Sequence, residues 1–548
     1  MQLPAIRIAK RKGWFVHVAD GNPACPGASI ADSFLPIDLK DSERLLDAAR
    51  SAEPRITGVF TAGTDFSANV ARIGEALGLA GTSYESALNA SDKARMRRCF
   101  AAAGVPSPRF VEFSQSDDPV VSPQGLTYPL VVKPVDNMGA RGVRRVDSPD
   151  DLAAAVQSAI EFSRTQRAIV EEFIPGNEYS IDAIVYQGEI TICGLAERHI
   201  YFPPAFVEMG HTIPAEIGVN VRRDLVEVFS AGVRALGITR GAAKGDVFHT
   251  GQGAVIGEIA ARLSGGYMSG WTFPYASGLE VTEAAMNLAV GLPPGDLSPR
   301  RNWVTAERAF ISVPGTVAQI SGVAAARNIR GVKDVFLRID TGTAVNFPAN
   351  NVEKCGNVIA CASDRTDAIR AAQYALRCIE IRLEPNIAET DQFLFSAEQE
   401  YDHALFGLFD AVNRGFYSEL QARRPALDTV SSKLSGHKVE PAPLPDILPL
   451  PAWERETLPI WSGATLSDTV RTCLRRHGLS LAPKLPASQH ISDIPESGAL
   501  SVDFSALFWT ALVRGGIQGV DYLIDSLGAR MPFGVAAFTA DPEQPVEV

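Results

Sequence analysis

The rhythm of apolar and polar positions changes several times along the chain. Over residues 1–85, helical and strand-like stretches alternate. PAIRIAKRKG has the spacing of a short amphipathic helix, whereas WFVHVAD and ITGVFTAG are β-branched and aromatic runs. Such alternation predicts an α/β layer with parallel strands. The chain opens on a helix, although doubly wound domains usually open on a strand followed by a glycine turn. Either that first strand is absent or the true start lies upstream of Met1; the second is the expectation.

From 86 to 300 the pattern becomes one of apolar runs joined by glycine-bearing turns. PLVVKPV is followed by GVRRV, and AIVEEFI by EYSIDAIVYQGEITICGL, with a helical stretch, DDLAAAVQSAIEFSR, between them. This predicts an α+β core of antiparallel hairpins and helices. Residues 301–385 form a smaller mixed unit, running from ERAFISVPGTV through NVIACAS to a helix over TDAIRAAQYALRCIEIRL. Residues 386–548 are an extension of mostly helical or mixed character. EQEYDHALFGLFDAVNRGFYSELQARR reads as a long helix weakened by Gly407 and Gly415. A proline-rich linker follows at 439–459, and the block DFSALFWTALVRGGIQGVDYLIDSL predicts a helix pair. The aromatic clusters of this extension fall at helical spacing, which favours core or interface.

Composition narrows the function. The chain has 548 residues, 46% of them hydrophobic, enough for several domains with real cores. A net charge of -12 argues against a general nucleic-acid binder, which needs a basic footprint. Seven cysteines without a C-x-x-C pair indicate neither a zinc site nor a disulfide framework, and fit a reducing cytoplasm. The start lacks the apolar core of a signal peptide, and no apolar run approaches the ~20 residues of a membrane span.

The most telling chemistry lies in KGDVFHTGQGAVIGEIAARLSGG. Two apolar runs flank Thr250–Gly253, which predicts a β-hairpin centred on Gln252, with Asp246 directly across from Glu258. Like charges at cross-strand positions repel, so the pair makes sense around a cation. Hard oxygen ligands without Cys or His point to Mg²⁺, which shares its shell with water and substrate phosphates. Taken alone, the pair also reads as two solvated carboxylates on an exposed hairpin face.

Lys133 ends the strand of YPLVVKPV and is followed by a loop carrying Gly139 and Gly142, where backbone N–H groups can approach phosphate. Lys93 opens a helix capped by Ser91 or Asp92; alone it reads as an ordinary surface lysine. Glu171, Glu172, Phe173 and Ile174 end another strand and Glu178 begins the next. Such a segment can bond an adenine edge through its backbone and ribose hydroxyls through a carboxylate.

Taken in order, DK…AGVPSP, VVKP–NMGARG, VEEFIPGNE and D-x₁₁-E-x₃-R resemble the ATP-grasp superfamily over about residues 1–385. The resemblance implies an ATP-grasp core at 86–300 preceded by a pre-ATP-grasp layer. It also implies that Lys93 and Lys133 hold ATP phosphates, that Glu171 and Ile174 meet adenine with Glu172 also among the nucleotide-binding residues, that Glu178 meets ribose, and that Asp246 and Glu258 carry Mg²⁺, with Mn²⁺ able to substitute. Many relatives place Asn two residues after the second metal carboxylate; Ala260 stands there. FVEMGHTIPA adds Glu208 and His211, expected on a loop, and RLSGG adds Arg262 with Gly265 behind it. This spacing is similar to bacterial L-amino-acid ligases and implies that Arg262 contacts an acyl phosphate, while Glu208, His211 and Gly265 contact substrate. The implied reaction joins a small-molecule carboxylate and an amine, with no nucleic-acid or membrane partner and with a homodimer as one assembly. Carboxyphosphate chemistry, as in biotin carboxylases, and a non-catalytic ATP-binding scaffold are the alternatives.

Overall fold

A computed structural model describes residues 2–115, 123, 125–395 and 499–529. The chain forms two compact units. The first comprises Met1–Glu307, Ala349–Asn351 and Ile359–Ile369; the second comprises Arg308–Pro348, Val352–Val358 and the residues from Arg370 on.

The first unit opens on helix α1 (Leu3–Arg11), followed by two short parallel strands, β1 (His17–Ala19) and β2 (Ser33–Leu35). Helices α2 (Ser42–Arg50), α3 (Ser67–Ala76) and α4 (Tyr84–Ser91) complete this layer. The run ITGVFTAG does not become a strand. Within it only Ala62 makes a bridge, to Leu263. Helix α5 (Lys93–Ala102) begins at Asp92, whose side chain accepts the Arg95 N–H, so Asp92 supplies the cap.

A four-stranded antiparallel sheet follows in the order β3-β6-β4-β5: β3 (Phe110–Ser114), β4 (Leu130–Pro134), β5 (Arg144–Val146) and β6 (Arg167–Glu172). Helix α6 (Leu152–Phe162) covers it. Leu152, Ala155, Val156, Ala159 and Ile160 recur at helical spacing and are buried with Leu130, Val132 and Val170.

The larger sheet contains β7 (Asn177–Tyr186), β8 (Glu189–Tyr201), β9 (Val207–Ile213), β10 (Gly241–Thr250) and β11 (Gly253–Ala260). All are antiparallel, in the order β11-β10-β7-β8-β9. Helix α7 (Val219–Ala235) buries Leu225, Phe229 and Val233 against one face, in one core with Val247, Ile256 and Ile259. Helices α8 (Phe273–Ser277) and α9 (Val281–Ala289) join a second core with Ile184, Ala196 and Leu263.

Strand β12 (Val304–Phe310) leads into the second unit, where β13 (Gly315–Ser321) is paired on both sides. Helix α10 (Val323–Asn328) and strands β14 (Val332–Leu337), β15 (Ala344–Val345) and β16 (Gly356–Ala362) follow. Helix α11 (Arg365–Cys378) ends earlier than its sequence pattern predicts. Residues Glu380–Leu383 form strand β17 instead, paired with β13, because buried Ile381 and Leu383 alternate with Glu380 and Arg382, the pattern of a half-buried strand. Helix α12 (Ala388–Phe395) precedes α13 (Ala499–Ala529), which is two helices joined at Gly516 (φ 58°, ψ -146°), the helix pair expected of this block. The expected helix at 398–424 and the linker at 439–459 lie outside the described residues.

Candidate active site

Asp246 on β10 and Glu258 on β11 are direct cross-strand partners. The reason is less simple than hairpin symmetry. Thr250 pairs with Gly253, so a regular ladder would set Gly257, not Glu258, opposite Asp246. A β-bulge at Gly257 adds one residue to β11 and shifts the register by one. Its second effect concerns faces. Ile256 and Glu258, two apart, would share a face in a regular strand. The bulge turns Glu258 to the Asp246 side and lets Ile256 and Ile259 both reach the α7 core. Only glycine fits at the bulge, since a Cβ there would lie 2.6 Å from the Phe248 ring.

Cations surround the two acids. Lys93 Nζ lies 3.3 Å from Glu258 and donates to the Asn137 carbonyl at 2.9 Å. Burial would raise the Glu258 pKa, but Lys93, Lys244, Lys133 and Arg262 outweigh it and hold the group at about 2. Asp246 is paired with Lys244, two residues away on the same face of β10, and with Arg198 of β8 at 2.8 Å. Arg198 also meets Glu178, and Glu208 at 3.1 Å. Burial pushes the Glu178 carboxyl up to about 7; Arg198 opposes this and Asp246 adds to it.

Lys133 pairs with Glu171 at 2.6 Å, and Glu171 also accepts from Arg97 at 2.7 Å. The Glu171 carboxylate is thus held by two cations, which keep its pKa low despite complete burial. Glu172 points elsewhere, to Arg109 at 2.9 Å and Thr127 at 3.1 Å. The Glu172 and Phe173 N–H groups are spent on the carbonyls of Arg109 and Pro129, whereas the Ile174 N–H meets no protein acceptor among the described residues.

The loop after Lys133 is tied down at its start. Asp136 accepts from Ser163, Arg164 and Thr165, and the Asn137 amide donates to the Phe162 carbonyl at 2.7 Å. Gly139 and Gly142 have φ of 71° and 69°, a region glycine adopts at no steric cost. The Gly139 carbonyl accepts the Asn351 N–H at 3.0 Å, and the Asn351 side chain accepts the Glu208 N–H at 2.7 Å. Asn351 therefore links the glycine loop to the strand carrying Glu208.

Glu208 and His211 lie on strand β9, not on the loop expected of them. Residues three apart on a regular strand face opposite ways. A bulge at Met209 compensates: Gly210 pairs with His199 and Glu208 with Ile200, so both reach the Arg198 side. His211 is completely buried, with Nδ1 3.2 Å from Glu307 and Nε2 2.9 Å from the Thr272 hydroxyl. Arg262 lies 3.3 Å from Asp65 and donates to the Leu263 carbonyl at 3.1 Å, while its buried Nε meets no hydrogen-bond acceptor among the described residues. Gly265 packs on Gly63, where a Cβ would lie 3.4 Å from the Gly63 backbone. Asp182 receives the Ser264 N–H (3.0 Å) and hydroxyl, anchoring this loop to β7. Burial raises its pKa to about 6 against those bonds.

The structure therefore brings Lys93, Glu258, Asp246, Glu178 and Glu208 into one charged cluster, and Lys133 with Glu171 into another. It adds Arg198, Lys244, Arg97, Asp65 and Asn351, which sequence reasoning missed. Lys244 was legible as the i−2 neighbour of Asp246 on one strand face. The other four act across long sequence separations that no local pattern reveals.

Among the described residues, no three His, Cys, Asp or Glu side chains converge as a self-sufficient metal site. Two opposed carboxylates of hard oxygen donors do fit a magnesium shell completed by phosphate and water. No helix of the described residues is long and apolar enough to cross a membrane.

Residues 126–270 match the ATP-grasp domain family. Residues 309–384 match the L-amino acid ligase C-terminal domain 2. Among curated proteins, the chain is 28% identical to the uncharacterized protein y4rH of Sinorhizobium fredii over 60% of this chain and 69% of that one. It is 23% identical to the L-arginine-specific L-amino acid ligase of Bacillus subtilis over 49% of this chain and 66% of that protein. The L-amino acid ligase structure from Bacillus licheniformis shares the fold, with a TM-score of 0.62 and 23% identity, covering 70% of this chain and 96% of that one.

Proposed function

We propose that this chain joins a small carboxylate, such as an amino acid, to an amine in an ATP-dependent reaction through an acyl phosphate. In the first step a carboxylate oxygen attacks the γ-phosphorus of ATP. The P–O bond to ADP breaks, giving an acyl phosphate. In the second step the amine nitrogen attacks the acyl carbon, phosphate leaves, and the nitrogen loses a proton. No side-chain nucleophile is needed.

The observation that carries this reading is the Asp246–Glu258 pair, set opposite by the bulge, with Lys93 against Glu258. In it, Asp246 and Glu258 hold Mg²⁺, which when bound offsets phosphate charge and polarises the transferred group. Mn²⁺ has the same coordination chemistry and substitutes. Lys93, Lys133, Gly139 and Gly142 receive the phosphates. Ile174 offers its N–H to adenine beside the Glu171–Glu172 strand end, and Glu178 takes the ribose. Glu208, His211 and Gly265 line the amino-acid side. Arg262 meets the acyl phosphate, and the unpartnered Nε supports this, because a planar oxyanion would satisfy the fork in bidentate fashion.

Arg262→Ala tests the assignment. Loss of one preorganised donor to a developing oxyanion costs about 10²–10³ in turnover. Amine-dependent ADP release should fall by that order while ATP affinity, measured by calorimetry, changes little. Equal loss of both would remove Arg262 from the acyl-phosphate role.

A further inference from the structure

Arg97 lies in α5 and is buried, and its partners are Glu171 and the backbone of the bulge rather than Asp246 or Glu258 themselves. Nε donates to Glu171 at 2.7 Å and Nη2 donates to the Gly257 carbonyl at 2.6 Å. A bulge residue leaves the ladder, and its buried polar groups must find partners elsewhere. Gly257 finds one in Arg97, while the flanking Ile256 N–H is taken by the Pro106 carbonyl at 2.9 Å and the Ile259 N–H by the Met96 sulfur at 3.4 Å. The far end of the guanidinium reaches the bulge, while its inner nitrogen holds Glu171, which in turn fixes Lys133.

We infer that Arg97 is a positioning residue that sets Glu258 relative to Lys133 by clamping the Gly257 bulge and the Glu171 carboxylate with one guanidinium. This rests on the magnesium–nucleotide reading above. A planar fork bonds two acceptors in fixed geometry; an ammonium at the end of a lysine cannot reproduce that geometry. When Arg97 is shortened or neutralised, Glu258 loses its register with Asp246. Metal-dependent nucleotide binding then suffers more than binding of nucleotide alone.

The test uses the full chain with Arg97→Lys and Arg97→Met. ADP affinity is measured by calorimetry with and without Mn²⁺, and bound Mn²⁺ is counted by electron paramagnetic resonance. The wild type should bind Mn²⁺ with ADP; if it does not, the magnesium–nucleotide reading itself fails. With that binding present, both variants should lose about tenfold or more in Mn²⁺-dependent ADP affinity and no more than about threefold without metal, a split that a loss of general stability would not produce. Equal changes in the two affinities, or none, would overturn the role. If the methionine variant does not fold, the lysine variant decides by the same criterion, and failure of both to fold would assign Arg97 to the fold and overturn the proposal.

Discussion

Glu178 and Glu258 sit on one sheet, yet their surroundings drive them in opposite directions. Burial raises Glu178 to about 7, and four nearby cations hold Glu258 at about 2, against an ordinary value of 4.5 for both. The linkage signs are therefore opposite. Glu178 favours the folded state fully below 4.5, and that contribution is lost as pH rises through about 7. Glu258 contributes above 4.5, and its contribution is lost as pH falls through about 2. Glu178→Gln should therefore flatten the decline of ligand-free Tm between 4.5 and about 7. Thermal melts across that window check it; an unchanged slope would show that another group titrates there. At this scale the acidic and lysine members of the site were readable from the chain, because strand ends and a glycine turn mark their positions. Arg198 was not. It lies within the 13-residue strand β8, where alternation alone gives a charged residue a solvated face, and only cross-strand pairing brings it to His211 and the acids.

The elements show where local pattern succeeds and where packing overrides it. The hairpin of β10 and β11 is legible from two apolar runs and a glycine turn, but its bulge is not. The bulge follows from two demands on one strand: Ile256 and Ile259 toward α7, and Glu258 away from it. The same tension moves Glu208 and His211 from an expected loop onto β9, with a bulge again reconciling the faces. Helix α13 makes its own case within the second unit. Gln518 accepts the Val313 N–H at 2.9 Å and donates to Ser312 at 2.8 Å, Arg382 pairs with Asp525, and the Tyr522 hydroxyl accepts the Ile387 N–H at 2.9 Å and donates to Asp391 at 2.7 Å. Polar anchors of this density mark a helix that completes the small unit. Tyr522→Phe leaves buried partners unsatisfied, at about 1–3 kcal/mol. Calorimetry should show a lower Tm for one transition, and no shift would mean that these bonds contribute little.

At the level of the whole chain, ligation and carboxyphosphate chemistry differ in what reaches the acyl-phosphate side of the site. ADP release stimulated by pairs of amino acids, and not by bicarbonate alone, is the expected outcome. A coupled assay across an amino-acid panel measures it, and the reverse pattern would favour a carboxylase. A chain that binds ATP and turns over neither set would support a scaffold. The sequence by itself determined the class of chemistry, because glycine turns, strand-end lysines and paired acids are local signals and their order along the chain is preserved whatever the packing. Tertiary structure decided the partners of each charge. Arg97, Arg198, Asp65 and Asn351 meet their ligands across separations of tens to hundreds of residues, and burial in a shared, poorly solvated cluster sets which of the carboxyls keeps its proton.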